Sequence, residues 1–396
     1  MELLRKNRAI YIDKEAISTL ALAKEGLLKP VTSLMNQKEA NAVDKTGIYK
    51  NKTFPFSFIL APSGKKNEEI LKNIEPNEKL NLICENRKYG EIVVKEVFEI
   101  NPIKRVEKIF KTSDTTHPGV RETLKRLGNY AICGEYEVNF DEIKKSKAII
   151  SKAKKDANAS EITALMMAIK PLHRAHERLI RLTLEKTDLV VIFLLKPYKD
   201  DVLSYSLRLK TLNYFVKNYL PKNRVVIVPL ENTYIFAGNN EVILNSIVAK
   251  NFGCSKIVIG QNHAGVGMFY DRNSLKSIFD TIKGINIDID IAHEFVYCNL
   301  CKTLVSISTC PHGQHHHIHY HSNSILELLT EGLLPPAVLV RKEISAIILS
   351  HIFPNRFKNF EKLYDDILPS TGLLEHHNEK DFYIELMNLY QTTSLT

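Results

Sequence analysis

Apolar and polar positions change texture twice along the chain. Up to about residue 140 the pattern reads as mostly strand. Phe54 to Pro62 is a short apolar run, and Leu80 to Ile100 forms two alternating runs around a polar, Gly-containing turn, which predicts a hairpin. Asp141 to Ser160 is rich in Lys and Ala with helical periodicity, and no turn signal interrupts it before Asn158, so it predicts an amphipathic connector helix. Beyond it, the apolar runs at 161–169, 188–196, 224–230, 256–260 and 285–293 alternate with helical patterns at 176–186, 203–220 and 241–252. Such alternation is what a parallel, doubly wound sheet requires, and these sheets bind ligands at the carboxyl ends of their strands. Val340 to Phe353 predicts a further helix, and the remainder to Thr396 a small helical appendage.

A chain of 396 residues corresponds to two or three domains at about 150 residues each. A hydrophobic share of 44% excludes a disordered chain, a disulfide scaffold and a collagen-like chain. The formal charge of +9 suits a polyanionic partner, yet the Lys residues are scattered without a sustained run, so a nucleic-acid surface is not expected. Six cysteines are too few for a secreted disulfide framework, and three of them cluster with metal-type spacing, which points to a reducing, cytoplasmic setting. No stretch has the length of a signal-peptide core or a membrane span, so no membrane contact is expected.

Three constellations carry chemistry. In KPLHRAHERLIR, Pro171 breaks the strand, and His173 and His176 open the following helix. Imidazoles three residues apart on a first turn face one side, beside free backbone N–H groups and the positive end of the helix dipole, which makes a phosphate site. In KIVIGQNHAGVGMFYD, Gly260, Gly265 and Gly267 let the backbone approach a ligand, with Asn262 and His263 at the same rim. Ser113 to Val120 reads by itself as a loop with a Pro-Gly turn. The third constellation is Cys298, Cys301 and Cys310, followed by histidines at 312, 315, 316, 317, 319 and 321. A C-x2-C knuckle with a third Cys nine residues later and a nearby His has Cys3His zinc spacing, and four protein ligands leave no open position, so the role is structural. His317 is the expected fourth ligand, with His316 and His312 as alternatives. Cys84, Cys133 and Cys254 sit in apolar contexts and read as core.

The order and content of these segments resemble the ATP sulfurylase (sulfate adenylyltransferase) family. Asp114 to Val120 is similar to its D-x-x-H-P-G segment, Pro171 to Glu177 to N-P-x-H-R-A-H-E, and Asn251 to Gly267 to N-Y-G-C-x-x-x-I-V-G-R-D-H-A-G-V-G. Glu331 to Ile344 is similar to the segment near the end of the family's catalytic domain. The resemblance implies an α/β chain: a PUA-like β-rich N-terminal domain over 1–158, a Rossmann-like HxxH nucleotidyltransferase domain with the zinc loop over 159–338, and a small helical C-terminal domain over 339–396. It implies ATP and sulfate as substrates, adenylyl sulfate and pyrophosphate as products, and magnesium with the ATP. A homodimer is a possible assembly. His173, His176 and Lys170 are the expected catalytic residues; His173, His176, Gly260, Asn262, His263, Gly265 and Gly267 would bind the nucleotide.

Departures from the family's pattern fall on the anion side. Q-T-R-N-P appears as Met167, Ala168, Ile169, Lys170 and Pro171; G-R-D-H as Gly260, Gln261, Asn262 and His263; R-Y-A-G-P as Ile235, Phe236, Ala237, Gly238 and Asn239. Downstream, S-G-T-x-x-R is replaced by His321 to Leu326. Planar arginine forks suit a desolvated, doubly charged oxyanion, and the single ammonium of Lys170 does not replace them. The expectation is therefore that sulfate is a poor substrate. Another small oxyanion or acceptor, or a non-catalytic nucleotide-binding role, stand as the alternatives.

Overall fold

A computed structural model describes residues 8–197, 202–231, 233–238, 240–260, 282–368 and 376–390. The chain divides into two compact units: Met1–Met166 with Thr187–Tyr198 and Val228–Ala292, and Met167–Lys186 with Lys199–Ile227 and His293–Thr396. Among the described residues, no helix is long and apolar enough to cross a membrane.

The first unit opens with seven strands, β1 (Ala9–Tyr11), β2 (Ile48–Tyr49), β3 (Lys52–Thr53), β4 (Leu60–Pro62), β5 (Lys79–Cys84), β6 (Arg87–Glu99) and β7 (Leu127–Val138). Five of them form a sheet in the order β1-β5-β6-β7-β4. The expected hairpin is β5–β6, and its alternation is seen directly: Leu80, Leu82 and Cys84 are buried on one face. Its turn is not the glycine-containing stretch. Glu85 and Asn86, both at positive φ (47° and 61°), make the reversal, and positive φ at two successive residues matches the right-handed twist of the flanking strands. Gly90 lies within β6, where a Cβ would stand 1.9 Å from the Glu137 carbonyl oxygen, so it serves a close backbone approach across the sheet.

The expectation of mostly strand before residue 140 is corrected by five helices among the described residues: α1 (Lys14–Lys24), α2 (Gln37–Thr46), α3 (Lys65–Lys72), α4 (Pro102–Phe110) and α5 (Pro118–Arg126). Several are short and locally capped. The Asn36 side chain accepts from the Glu39 N–H while Glu39 reaches back to the Asn36 N–H, a reciprocal cap that stabilises two otherwise unbonded donors. The connector forms α6 (Glu142–Asp156), ending just before Asn158 at φ 46°.

A second sheet is built from β8 (Ile162–Met167), β9 (Leu189–Lys196), β10 (Val225–Glu231), β11 (Lys256–Gly260) and β12 (Asp288–Ala292), one strand for each expected apolar run. Its order is β10-β9-β8-β11-β12, with β11 parallel to both β8 and β12. The direction of strand addition therefore reverses between β8 and β11, the switch point at which such sheets bind ligands. All six side chains of β8 are buried, as expected of a strand covered on both faces. Among the described residues, the intervening helices are α7 (Arg174–Leu184), α8 (Tyr205–Tyr219) and α9 (Asn240–Asn251).

In the second unit, β13 (Phe295–Cys298), β14 (Thr303–Ser306) and β15 (His317–His319) form an antiparallel sheet with β13 in the middle. Helices α10 (Ser322–Thr330), α11 (Lys342–Ile352), α12 (Phe360–Ile367) and α13 (Glu379–Tyr390) follow, and α11 packs on α8, α10 and α13. The expected helical appendage is thus present, its core an aromatic cluster of Phe357, Phe360, Tyr364 and Phe382.

Candidate active site and metal centre

Strand β8 ends at Met167, and seven residues later the chain enters α7 at Arg174. Ile169 holds φ 54°, a left-handed conformation costly for a β-branched residue, and it is 1% exposed. Lys170 follows, joined to Pro171 through a cis peptide bond. Arg208, 1% exposed on α8, holds this loop by donating from Nη1 to the Ala168 carbonyl and from Nε to the Leu203 carbonyl at 3.1 Å.

His173 is the N-cap of α7 and His176 is its third helical residue. The two rings stack with centroids 3.7 Å apart and 20° between their planes, and His176 Nδ1 accepts from the His173 backbone N–H at 3.4 Å. Burial, joined by the neighbouring His176, holds His173 well below its usual range, and burial brings His176 down to about 4. Both imidazoles are therefore neutral near pH 7. They stand at a helix start, where partial positive charge collects.

The turn is clamped from below. Glu177 is buried, and its carboxylate accepts from Arg341 Nε at 2.8 and 2.9 Å and from Arg174 Nη1 at 3.3 Å. The Arg341 guanidinium lies 3.8 Å from the Tyr219 ring centroid. Arg174 also donates from Nε to the Ala337 carbonyl at 3.1 Å, and its backbone N–H donates to the Leu339 carbonyl at 2.9 Å. The segment Glu331 to Ile344 thus supports the histidine turn. Glu177 and Arg341 had no role in the sequence reading, although each lies in a motif that it singled out.

Of the glycine-rich residues, Gly260 closes β11. Asn262, His263, Gly265 and Gly267, together with Gln261, lie outside the described residues. Ile235 is 2% exposed. The Ser113 to Val120 segment is a helix start and not a Pro-Gly turn: Pro118 and Gly119 open α5, and His117 Nδ1 accepts from the Gly119 and Val120 N–H groups at 3.1 and 3.4 Å.

The metal-type residues converge as a group. The donor atoms of Cys298, Cys301, Cys310 and His312 lie within 4.8 Å of one another. His312 Nδ1 is 3.4 Å from Cys298 Sγ, 3.3 Å from Cys301 Sγ and 3.6 Å from Cys310 Sγ, and the last two sulfurs are 3.9 Å apart. A tetrahedral ion with bonds of about 2.0–2.3 Å sets its donors about 3.3–3.8 Å apart, so this set fits one. Burial pushes the Cys298 thiol up, but the Cys301 and Leu300 N–H groups and the adjacent thiols outweigh it and bring it down to about 6, toward the thiolate a metal needs. The expected fourth ligand, His317, is not in the group. Its Nε2 is 3.4 Å from Cys310 Sγ, whereas the Cys310-Pro311-His312 bend folds His312 back over all three sulfurs.

Comparison with known proteins identifies the family. The ATP-sulfurylase family model matches residues 141–351, and a PUA-like domain model matches residues 2–139. A sulfate adenylyltransferase of Carboxydothermus hydrogenoformans is 29% identical over 350 residues, covering 86% of this chain and 91% of that protein. One from Persephonella marina is 27% identical over 355 residues, covering 86% and 90%. Among solved structures, one titled a hexameric APS kinase from Thiobacillus denitrificans superposes with a TM-score of 0.63 at 16% identity, over 90% of this chain and 66% of that one. That likeness is one of fold.

Proposed function

Since the chain belongs to the ATP-sulfurylase family, a nucleotidyltransferase-type enzyme family, we propose that it transfers the adenylyl group of ATP to a small acceptor and releases pyrophosphate. One observation carries this reading: a stacked, neutral histidine pair at the N-terminus of α7, directly after β8. Each neutral imidazole offers one N–H to a phosphoryl oxygen, and the helix N-terminus adds backbone donors. Negative charge grows on the leaving pyrophosphate as the acceptor attacks the α-phosphorus. Prepositioned donors stabilise that charge without a covalent intermediate. Magnesium accompanying ATP would neutralise further phosphate charge. Lys170, at the mouth of the same loop, is the cation we assign to the incoming anion.

The acceptor is the distinguishing question. The relatives are named for sulfate, but Ile169 and Ile235 stand where the family places arginines, and both are buried apolar side chains. Neither can hold an oxyanion. We therefore assign sulfate as a poor substrate, with a different small oxyanion or a less charged acceptor as the second reading. The assay is pyrophosphate release from ATP with sulfate and with a panel of other oxyanions, beside a nucleotide-binding titration. ATP is expected to bind, and the sulfate-dependent rate to fall about a hundredfold or more below that of ordinary enzymes, the effect of one missing oxyanion contact. Sulfate-dependent release at ordinary rates would show that Lys170 or a neighbour holds the anion after all. The Cys3His centre we assign to a structural zinc, with His312 as the fourth ligand; four protein ligands leave no site for water.

A further inference from the structure

The segment leaving the metal centre runs directly to the histidine pair. Strand β15 pairs with β13, placing His317 opposite Cys298 and His319 opposite Val296. One residue beyond β15, the Tyr320 ring stacks on His173 at 5.4 Å with 28° between planes, and its hydroxyl donates to the Val338 carbonyl at 2.7 Å. Two residues later, Ser322 Oγ lies 3.3 Å from His173 Nε2. His173 itself is 5% exposed. Its ring thus stacks with both His176 and Tyr320 and has the Ser322 hydroxyl at Nε2.

We propose that Ser322 and Tyr320 are positioning residues for His173, and that the Cys3His knuckle is the device that holds them against it. A neutral imidazole carries one proton on either of two nitrogens, and the hydrogen bond at one of them decides which. Ser322 pairs with Nε2 at 3.3 Å, and since a hydroxyl can give or take that proton, the direction in which the Ser322 O–H is held sets whether Nε2 or Nδ1 carries it. Tyr320 fixes the ring plane. The chain from Cys310 to Ser322 contains only twelve residues beyond the third ligand, and its middle is strapped to β13, whose last residue is Cys298. Releasing the knuckle removes the anchor at both ends of this strap. Ser322 falls within the stretch that departs from the family's S-G-T-x-x-R pattern, so the contact belongs to this chain's own residues. The inference rests on the proposed role of His173, but its first readout does not need activity.

The test is nitrogen NMR of histidine-labelled full-length protein, with the His173 signal assigned by its loss in His173→Asn. The unmodified protein should show one dominant His173 tautomer. Ser322→Ala should give a mixture, Ser322→Thr should restore the single form, and removal of the metal with a chelator should reproduce the mixture. In the steady state, Ser322→Ala should lower kcat about tenfold or more, as loss of the orienting partner of a ligating imidazole does, with KM for ATP nearly unchanged and with recovery in Ser322→Thr. An unchanged tautomer in both Ser322→Ala and metal-free protein overturns the proposal. Changed tautomers in a protein that transfers no adenylyl group to any acceptor leave the positioning intact and overturn the functional reading instead.

Discussion

The histidine turn and the metal knuckle lie in one unit and use imidazole in opposite ways. At residues 173 and 176 the rings are packed face to face and held neutral by burial, so that they can donate single hydrogen bonds to an anion. At residue 312 the ring points a nitrogen at three sulfurs, and one of them, the Cys298 thiol, is drawn toward its charged form. The first arrangement depends on what packs around it. The second depends on three cysteines and a histidine within fifteen residues of chain, and needs little else. A ligand set of short reach assembles from local spacing, whereas a tuned pair of side chains needs a buried surrounding that the rest of the unit supplies.

The sharpest way to break this comparison is to remove the metal. The protein is expected to carry close to one zinc per chain, and Cys301→Ser should abolish it and lower the melting temperature. Metal binding is folding free energy, of order 10 kcal/mol in small zinc modules. Elemental analysis showing no zinc, in protein prepared without chelator, would sink the assignment. The same measurement sharpens it: His312→Ala should lose metal, while His317→Ala should keep it.

Next in size is the clamp beneath the histidines. Arg341→Met leaves the Glu177 carboxylate, 5% exposed in its side chain, with only Arg174 at 3.3 Å. Breaking one side of a buried pair costs about 3–5 kcal/mol. Urea unfolding that shifts by less than about 1 kcal/mol, the range of an exposed pair, would mean the contact is peripheral.

Replacing both His173 and His176 by alanine should lower kcat/KM for ATP by at least about a hundredfold, corresponding to about 2–4 kcal/mol of lost transition-state stabilisation. Nucleotide affinity should also fall in calorimetry. If neither changes, the phosphate site lies elsewhere.

The smallest effect is on pH dependence. Both histidines bind their proton less readily when folded than when unfolded, so the unfolded chain takes up more protons and stability rises with pH. Their contribution is complete above about pH 6.5 and is lost as pH falls toward 4, the value reached by His176. In the double alanine variant the slope between pH 6.5 and 4 should flatten; an unchanged slope would show that other groups carry it.

Local regularity explains what could be read in advance. Five apolar runs became the five strands of the second sheet; β8 and most of β9 are buried on both faces, which demands an almost wholly apolar run, and that is visible one residue at a time. The connector helix, the HxxH turn and the C-x2-C knuckle followed for the same reason: each is a pattern within one or two turns of chain. The short helices of the first 140 residues were missed where strand alternation outweighed caps such as Asn36 with Glu39.

Other features depend on residues far apart in the chain and close in space. Gly90 looked like a turn residue until β7 lay against it, since only the facing Glu137 carbonyl explains why a side chain is excluded. His312, not His317, joins the three cysteines because of a bend at Pro311 that spacing alone does not reveal. Ser322, Tyr320 and Arg341 reach the histidine turn across some 150 residues of sequence. The residue types that do the chemistry were determined by the sequence by itself. The burial of Ile169 and Ile235 and the shifted protonation of the histidines were decided by the tertiary structure, because desolvation and orientation exist only once the neighbours have arrived.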